Sequence, residues 1–546
     1  MAKMTAGRAV VEALIAQGVD TVFGIISVHT LHIYDALREA VDEGSIRFVG
    51  ARHEHALGFM ADGYARATGK PGVMLTSGGP GAADSIGAMG ESYHSSVPIL
   101  QITAEIESEW LGQGRGVTHE AVDQMAMFAP VTGWRSLAES PQDVPNKIAA
   151  AFDHLRTQHP RPAVLAIPTD YLGQEADFEI IPSREPTFAT LDATALAAAA
   201  AIVRDAKRPL IIAGGGVMRS GATDGLRAFA ERFDVPVAVA DGGKGAFADD
   251  HPLGLGTVLG GRVWLDNPVQ DYAGTCDAVV IVGTSMPFRS TKGVALQLPE
   301  HTVQIDLDAS LFGRNYPVEV GLAGDARQVI EALAAAIGEP RVSTDDEHAK
   351  LAQVKLDARA SLERQMPNEL RMWEAVRAAI DRDAVVLADS TIAGYAATRC
   401  FPTYEPLTFH HPHGWVSIGY AFAASLGAKV GLPDRQVICV TGDGGFQYNI
   451  QELASAQQHG IAPVVLLFND NAWGVLEHYQ KTAFDGRYFA TSLVNPDFRQ
   501  LAAAYGVGYH LARDVAELTS ALAATRNPKR LQVIEVAIPD GVAGFA

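Results

Sequence analysis

The sequence is short of cysteine and of basic residues. Its 546 residues contain only three cysteines, far apart and without a CxxC pair: Cys276, Cys400 and Cys439. This pattern argues against a disulfide framework and a zinc site, so we expect a reducing, cytoplasmic location. Lys and Arg number 43 against 63 Asp and Glu, giving a net charge of −20 at pH 7. Because that excess repels phosphate backbones and anionic lipids, we expect no nucleic-acid or membrane partner.

Long apolar runs are also missing. No uncharged apolar stretch of about 18 residues occurs, and residues 1–20 lack a basic segment followed by an apolar run and a cleavage site. The sequence therefore predicts neither a transmembrane helix nor a signal peptide. Hydrophobic residues make up 48% of the chain. This content allows large buried cores, and the length suggests about three or four domains.

Strand-like apolar runs alternate with helix-period stretches along most of the chain. This alternation is typical of parallel sheets covered by helices on both faces. Polar, proline-containing segments interrupt it at 174–186 and 339–347. We therefore predict an α/β protein of three doubly wound parallel-sheet domains: 1–173, 188–338 and 366–546.

Two loops in the third segment carry the strongest chemical signal. One strand-like run ends in GDGG at 442–445, and the next, after a predicted helix, enters NDNAWG at 469–474. A right-handed crossover brings the carboxyl ends of such strands side by side, so Asp443 and Asp470 can face one another. Carboxylates are hard oxygen ligands that suit Mg²⁺, which takes further oxygens from phosphates and water.

The glycines of the first loop suit a phosphate group. Because Gly442, Gly444 and Gly445 lack Cβ atoms, their backbone N–H groups can approach an anion beside the start of a helix. By itself, a GDG sequence is explained equally well as a strand-to-helix turn with a solvated aspartate. The paired second loop favours a ligand site.

GDG at 442–444 is followed by residues 445–468 and then by an Asn-Asn-like pair. This arrangement resembles the signature of thiamine-diphosphate enzymes. The resemblance implies that Mg²⁺ binds to the side chains of Asp443 and Asp470 and to the carbonyl of Ala472. The family usually has Asn where this chain has Asp470, and the extra carboxylate suits a cation but adds negative charge beside a diphosphate. The residues implied in diphosphate and cofactor contact are Gly442, Gly444, Gly445, Trp473 and Gly474.

A glutamate in the first segment is the candidate proton relay. Thiamine chemistry needs a carboxylic acid beside N1′ of the aminopyrimidine, and Glu54 begins a predicted helix just after a strand. Its local sequence alone favours a glutamate that only stabilises a helix N-terminus. However, RHEHA at 52–56 and TSGGPG at 76–81 resemble the pyrimidine-binding domain of acetolactate synthases, benzaldehyde lyase and related 2-oxo acid decarboxylases. In that family the glutamate at this position is the relay and contacts the cofactor.

The sequence WVSIG at 415–419 is similar to the loop that bends the cofactor in the same family. The resemblance implies that Ile418 wedges between the two cofactor rings and that the Val416 carbonyl accepts from the 4′-amino group. An Ile before a Gly is otherwise ordinary core. Because relatives join the glutamate-bearing domain of one subunit to the diphosphate domain of another, the resemblance implies a homodimer at minimum and commonly a homotetramer.

Two histidines lie where relatives carry groups that tune the reaction. His29 matches a histidine of benzaldehyde lyase, and His119 falls where carboligating members commonly have Gln and some decarboxylases have His. Either could protonate the enamine left after carbon dioxide departs, because an imidazole titrates near neutral pH. Alternatively, His29 lies on a helix face and His119 caps a loop.

The middle segment contains GGGV at 214–217, which looks like a dinucleotide turn. It lacks the G-x-G-x-x-G spacing, because Arg219 stands where the last glycine should be. Related synthases bind FAD around this domain, while many decarboxylases keep the same fold empty. We expect no FAD here, although the sequence leaves that question open.

Together these features predict a thiamine-diphosphate- and Mg²⁺-dependent lyase. The predicted reaction is non-oxidative decarboxylation of a 2-oxo acid through an enamine, with carboligation as a further outcome. His119 and residues 112–120, which resemble guanidino-oxopentanoate decarboxylases, favour the decarboxylase. One alternative is an acetolactate synthase-like carboligase that forms a 2-hydroxy ketone or an acetohydroxy acid. The other is a non-catalytic cofactor-binding homologue.

Overall fold

The computed structural model describes residues 2–259, 266–288, 290–291, 293–539 and 541–545. Three six-stranded parallel sheets flanked by helices follow one another along the chain, which confirms the predicted fold class. Within the described residues, no helix combines the length and apolarity needed to cross a membrane.

The first domain holds one parallel sheet and a short ribbon. Its strands are β1 (Ala2–Thr5), β2 (Thr21–Gly24), β3 (Arg47–Gly50), β4 (Gly72–Thr76), β5 (Ile99–Glu105), β6 (Trp134–Leu137), β7 (Ala163–Pro168) and β8 (Glu175–Phe178). Its helices are α1 (Ala6–Ala16), α2 (Leu31–Asp42), α3 (Glu54–Thr68), α4 (Pro80–Asp84), α5 (Ile86–His94), α6 (Gln124–Phe128), α7 (Val144–Thr157) and α8 (Thr169–Leu172). The sheet order is β3-β2-β4-β5-β7-β6, and β8 pairs antiparallel with β1.

The second domain has a different strand order, β11-β10-β9-β12-β13-β14. Its strands are β9 (Pro209–Ala213), β10 (Val237–Val239), β11 (Gly254–Thr257), β12 (Ala278–Val282), β13 (His301–Asp306) and β14 (Val320–Ala323). Its helices are α9 (Ala193–Asp205), α10 (Gly215–Arg219), α11 (Thr223–Phe233), α12 (Pro268–Thr275) and α13 (Ala326–Ile337).

The third domain follows a long connecting helix, α14 (Asp345–Gln365). Its strands are β15 (Val385–Ala388), β16 (Phe409–His410), β17 (Val437–Gly442), β18 (Val464–Asn469), β19 (Gly508–Ala512) and β20 (Gln532–Ala537). Its helices are α15 (Pro367–Ala379), α16 (Ile392–Cys400), α17 (Tyr420–Gly431), α18 (Asp443–Tyr448), α19 (Glu452–His459), α20 (Gly474–Ala483), α21 (Phe498–Ala504) and α22 (Val515–Ala524). The order β16-β15-β17-β18-β20-β19 repeats the pattern of the first sheet.

The strand order creates a crevice in each sheet. In the third sheet the chain runs from β15 to β16 on one side and then to β17 on the other. The carboxyl ends of β15 and β17 therefore flank a switch point, where parallel α/β sheets bind ligands. The equivalent pairs are β2 with β4 and β9 with β12. Strands β17 and β18 are buried except at their last residues, because helices cover both faces of the sheet.

Helices α3 and α17 pack the first domain against the third through their backbones. A Cβ atom on Gly63 would lie 1.9 Å from the carbonyl oxygen of Ala424. One on Gly427 would lie 1.8 Å from the carbonyl oxygen of Met60. Such distances leave no room for a methyl group, so the two glycines set the separation of the helices and hence of the two domains.

We predict that Gly63→Ala lowers the free energy of unfolding by about 2–4 kcal/mol, because the added methyl group forces α3 away from α17. Urea unfolding followed by circular dichroism would measure the change. The matched control is Gly225→Ala in α11, where an added Cβ would have no neighbour within 4 Å. That control should be stabilised by about 0.5–1 kcal/mol. A Gly63→Ala protein as stable as wild type would contradict this view of the helix contact.

Candidate active site

A cavity of about 140 Å³ opens at the carboxyl ends of β15, β17 and β18. It occupies the switch point of the third sheet. All residues that line it belong to the third domain, at positions 389–542. Ten sequence-predicted residues lie together in its wall: Val416, Ile418, Gly442, Asp443, Gly444, Gly445, Asp470, Ala472, Trp473 and Gly474.

Two carboxylates face this cavity from neighbouring strand ends. Asp443 begins α18 directly after β17, and Asp470 follows β18. Burial raises the pKa of Asp443. Burial, and then the nearby charge of Asp443, raise the pKa of Asp470 to about 7. The two groups thus lie close enough to repel one another, a repulsion that a bound cation would relieve.

Asn495 joins the two acidic loops. Its side-chain amide donates to Oδ2 of Asp443 at 2.6 Å and to the side-chain oxygens of Asn469 and Asn471 at 3.0 and 3.1 Å. Gln447 in turn donates to the Asn495 oxygen at 2.8 Å. The sequence analysis did not identify Asn495, because it lies in an irregular segment beyond α20 with no motif of its own.

The glycines in the wall are required by close contacts. A Cβ on Gly444 would lie 2.4 Å from the Trp473 ring, and one on Gly474 would lie 2.3 Å from Oδ2 of Asp470. Only a residue without a side chain fits at these two positions, because a Cβ atom would collide with the indole ring or with the Asp470 carboxylate.

The ring loop, residues 414–419, forms another wall of the cavity. Val416 has a φ of +62°, which is strained for a β-branched residue, and Gly419 has a φ of +81°. The Ser390 hydroxyl donates to the Val416 carbonyl at 3.1 Å, and the Gly419 N–H donates to Asp389 at 3.1 Å. The conformation of this loop is therefore held from the end of β15.

Asp389, which sequence reasoning missed, connects three parts of the site. Its carboxylate accepts from the Ser390 N–H at 2.8 Å, from Gly419 and from the Thr441 hydroxyl at 3.2 Å. Burial raises the pKa of Asp389 to about 6, although these hydrogen bonds oppose the shift. A single aspartate after a strand is too common in sequences to be recognised as such a link.

The three candidate catalytic side chains lie together at the edge of the first sheet. The His29 and His119 rings are 4.5 Å apart, and the Ser77 hydroxyl lies 3.1 Å from Nδ1 of His119. A Cβ on Gly81 would lie 3.1 Å from both Oε1 of Glu54 and Cβ of Ser77. Glu54 and Ser77 thus both border Gly81, and Ser77, which contacts His119, was missed from the sequence.

Burial changes the acidity of His29 in the histidine pair. It lowers the pKa of His29, and the neighbouring His119 lowers it further. Nδ1 of His29 is buried without a hydrogen-bond partner among the described residues. His119 has a φ of +69°. His29 follows β2, and His119 contacts Ser77, which follows β4; neither histidine lines the third-domain cavity of the same chain.

A larger cavity of about 520 Å³ lies between the domains, at the carboxyl ends of β9 and β12. Gly215, Gly216 and Arg219 line it, together with Arg66 and His413 from the flanking domains. This is the region in which the sequence raised the question of FAD, and the expected absence of FAD stays a prediction.

Family models match the chain in three consecutive blocks. The N-terminal TPP binding domain of thiamine pyrophosphate enzymes matches residues 4–127, the central domain matches 196–333 and the C-terminal TPP binding domain matches 389–536. The chain belongs to the thiamine pyrophosphate enzyme family. It is therefore a thiamine-diphosphate-dependent enzyme, which confirms the resemblance found in its motifs.

Curated thiamine pyrophosphate enzymes align with this one along most of its length. The probable 2-ketoarginine decarboxylase AruI of Pseudomonas aeruginosa is 36% identical, over 98% of this chain and 94% of that protein. A probable acetolactate synthase large subunit of Methanocaldococcus jannaschii is 30% identical, over 92% of this chain and 87% of that protein. The acetolactate synthase isozyme 3 large subunit of Escherichia coli is 29% identical, over 98% and 95%. The names of these relatives cover both a decarboxylase and carboligases.

The cavity of this thiamine pyrophosphate enzyme fits a diphosphate with its cation. The buried Asp443, the half-buried Asp470 and the Ala472 backbone would supply hard oxygens, and the glycines leave backbone exposed beside them. Within the described residues, no three or more His, Cys, Asp or Glu side chains are arranged to hold a metal. A cation here would therefore depend on phosphate oxygens as well as on the protein.

We predict that cation binding displaces a proton from Asp470. Because its pKa is about 7, the carboxyl is largely protonated at pH 6 and ionised at pH 9, and a cation requires the ionised form. Binding of Mg²⁺ with thiamine diphosphate at pH 6 should thus release about one proton more than at pH 9, and affinity should fall about tenfold per pH unit below 7.

Isothermal titration calorimetry in buffers of different ionisation enthalpy would count these protons. Asp470→Asn is the control, since it retains any proton released by the phosphate groups and loses the share of Asp470. Equal proton release by the two proteins at pH 6 would contradict the prediction.

Proposed function

We propose that this enzyme is a Mg²⁺-dependent, non-oxidative 2-oxo acid decarboxylase. The observation that carries the proposal is the His29–His119 pair, whose rings are 4.5 Å apart and which Ser77 contacts through Nδ1 of His119. Release of an aldehyde requires a proton donor at the reacting carbon, and imidazoles suit that task. A protein named as a probable decarboxylase is 36% identical to this chain, in an alignment that covers 98% of the chain, and this similarity supports the same class.

The third domain would hold the cofactor. Asp443, Asp470 and the Ala472 carbonyl would bind Mg²⁺, and the glycines with Trp473 would surround the diphosphate. The Val416 carbonyl and Ile418 would contact the two rings. When bound, thiamine diphosphate supplies a nucleophilic carbon and an acceptor for the electrons released with carbon dioxide.

The first domain would supply the side chains that hold and transfer protons. Glu54 would hold a proton at N1′ of the aminopyrimidine, and His119, oriented by Ser77, would deliver one to the carbon that lost carbon dioxide. His29, whose ring lies 4.5 Å from that of His119, would be the second candidate proton donor.

Acidic side chains beside the histidines favour a substrate with a cationic side chain. The charge of Glu107 acts on His29. Burial, followed by the charges of Asp123 and Glu120, raises the pKa of Glu105. Because one relative is named as a probable 2-ketoarginine decarboxylase, 2-ketoarginine is the first substrate to test.

We expect the purified enzyme with Mg²⁺ and thiamine diphosphate to release carbon dioxide and an aldehyde from a 2-oxo acid, within a panel that includes 2-ketoarginine, pyruvate and aromatic 2-oxo acids. Glu54→Gln should lower kcat by about 10²–10⁴, because it removes the proton relay. The matched control Glu43→Gln, on the exposed end of α2, should leave kcat unchanged.

The products separate this proposal from its alternatives. Formation of acetolactate or another 2-hydroxy ketone as the main product would instead establish the carboligase, which the acetolactate synthase relatives favour. A protein that binds the cofactor and yields neither product from any 2-oxo acid of the panel would contradict the proposed decarboxylase and favour the non-catalytic alternative.

We also propose a homodimer at minimum, and commonly a tetramer, in which each site combines two chains. The catalytic cluster of the first domain is not part of the third-domain cavity wall in the same chain. Large apolar side chains are exposed around both halves: Ile26, Val28, Trp415, Ile418, Tyr448 and Leu476. A second copy that covers them would bring its Glu54 to the cavity.

Co-expression of Glu54→Gln and Asp443→Asn chains with different affinity tags tests this arrangement. In a heterodimer built from two chains, one site carries both substitutions and the other carries neither, so doubly tagged protein should regain about half of the wild-type activity. Each variant alone is the inactive control. Failure of the hybrid to regain activity would show that each site is built within one chain.

A further inference from the structure

We propose that Glu91 is a positioning residue that holds the ring loop, residues 414–419, in its cofactor-binding shape. Glu91 lies on α5 of the first domain, whereas the ring loop belongs to the third domain of the same chain. The proposal rests on the ring contacts assigned above to Val416 and Ile418.

The Glu91 carboxylate accepts three backbone hydrogen bonds from the ring loop. Oε1 accepts from the Gly414 N–H at 3.0 Å, and Oε2 accepts from the Trp415 and Ser417 N–H groups at 2.9 and 3.3 Å. These residues surround Val416 on both sides. One carboxylate thus fixes the path of the backbone that presents the Val416 carbonyl.

The carboxylate is itself held in place. Its side chain is fully buried, and the Ser95 hydroxyl donates to Oε1 at 2.7 Å. Arg66, which pairs with Asp62 at 2.5 Å, lies 3.7 Å from Oε1. Burial alone would raise the pKa of Glu91, but Arg66 and the hydrogen bonds hold it below its usual range. The acceptor is therefore a charged, immobile group.

The ring loop needs such support because its backbone is strained. Val416 has a φ of +62°, a region that a β-branched side chain occupies at an energetic cost. The loop also rests directly on α5, since a Cβ on Gly414 would lie 2.7 Å from the Glu91 carbonyl oxygen. Asp389 and Ser390 hold only its far side. Without Glu91, three N–H groups lose their acceptor and the strained turn can relax.

The test compares two ligands on the purified full-length protein. Thiamine diphosphate reaches the ring loop, whereas inorganic pyrophosphate, also with Mg²⁺, occupies only the acidic and glycine loops. Glu91→Gln should raise the Kd for thiamine diphosphate about tenfold or more and change the Kd for pyrophosphate less than about twofold, because the neutral amide leaves one acceptor oxygen for three ring-loop N–H groups and Glu91 does not contact the acidic and glycine loops. Isothermal titration calorimetry would measure both constants.

Asp249→Asn is the matched control. Its carboxylate also accepts a backbone N–H across a domain boundary, from Thr403 at 2.8 Å, but it does not touch the ring loop. Neither Kd should change more than about twofold. If Glu91→Gln does not fold, Ser95→Ala, which removes one donor that orients the carboxylate, should raise the thiamine diphosphate Kd selectively by a smaller factor.

Equal weakening of both ligands by Glu91→Gln, or an unchanged Kd for thiamine diphosphate, would overturn the proposal. These outcomes are separate from the fate of the proposed function. A wild-type protein that binds thiamine diphosphate but decarboxylates no 2-oxo acid would refute that function and leave the comparison of the two ligands valid.

Discussion

Two carboxylates at adjacent strand ends, one buried and one half-buried, repel one another, and the chemistry of the site depends on how that repulsion is offset. Asp443 and Asp470 face one cavity, and both have raised pKa values. Asn495 supplies a neutral donor to one of them. A divalent cation would supply the missing positive charge and phosphate oxygens would complete its ligands, so the site suits a ligand that brings metal and anion together.

The fold places the carboxylates of Asp443 and Asp470 in the same cavity wall as the ring loop, residues 414–419. The first and third sheets share one strand order, and α3 and α17 meet backbone to backbone. Because that contact brings the two domains close together, Glu91 of the first domain can reach across the boundary to the ring loop. Asp389 holds the same loop from the end of β15. The packing of the first domain against the third thus helps to fix the shape of the ring loop in the cavity wall.

Sequence predicted those parts of the fold and site that leave a local pattern. Alternating apolar runs gave the three parallel sheets, and GDGG with NDNAWG gave the residues that gather in the cavity. Asn495, Asp389 and Glu91 left no such pattern, because each acts through a side-chain hydrogen bond to a partner distant in sequence. Glu91 and Gly414 are 323 positions apart, and no periodicity links them.

Glu54 does not line the third-domain cavity of its own chain, and this has a consequence for a newly made chain. If a site needs both halves from different chains, a solitary polypeptide leaving the ribosome could capture the tail of thiamine diphosphate while the ring stayed without its acid. Such a chain would be catalytically inactive until it associated with a second copy. Catalysis would then begin only above the concentration at which subunits associate, and reactive intermediates would not form on unassembled protein.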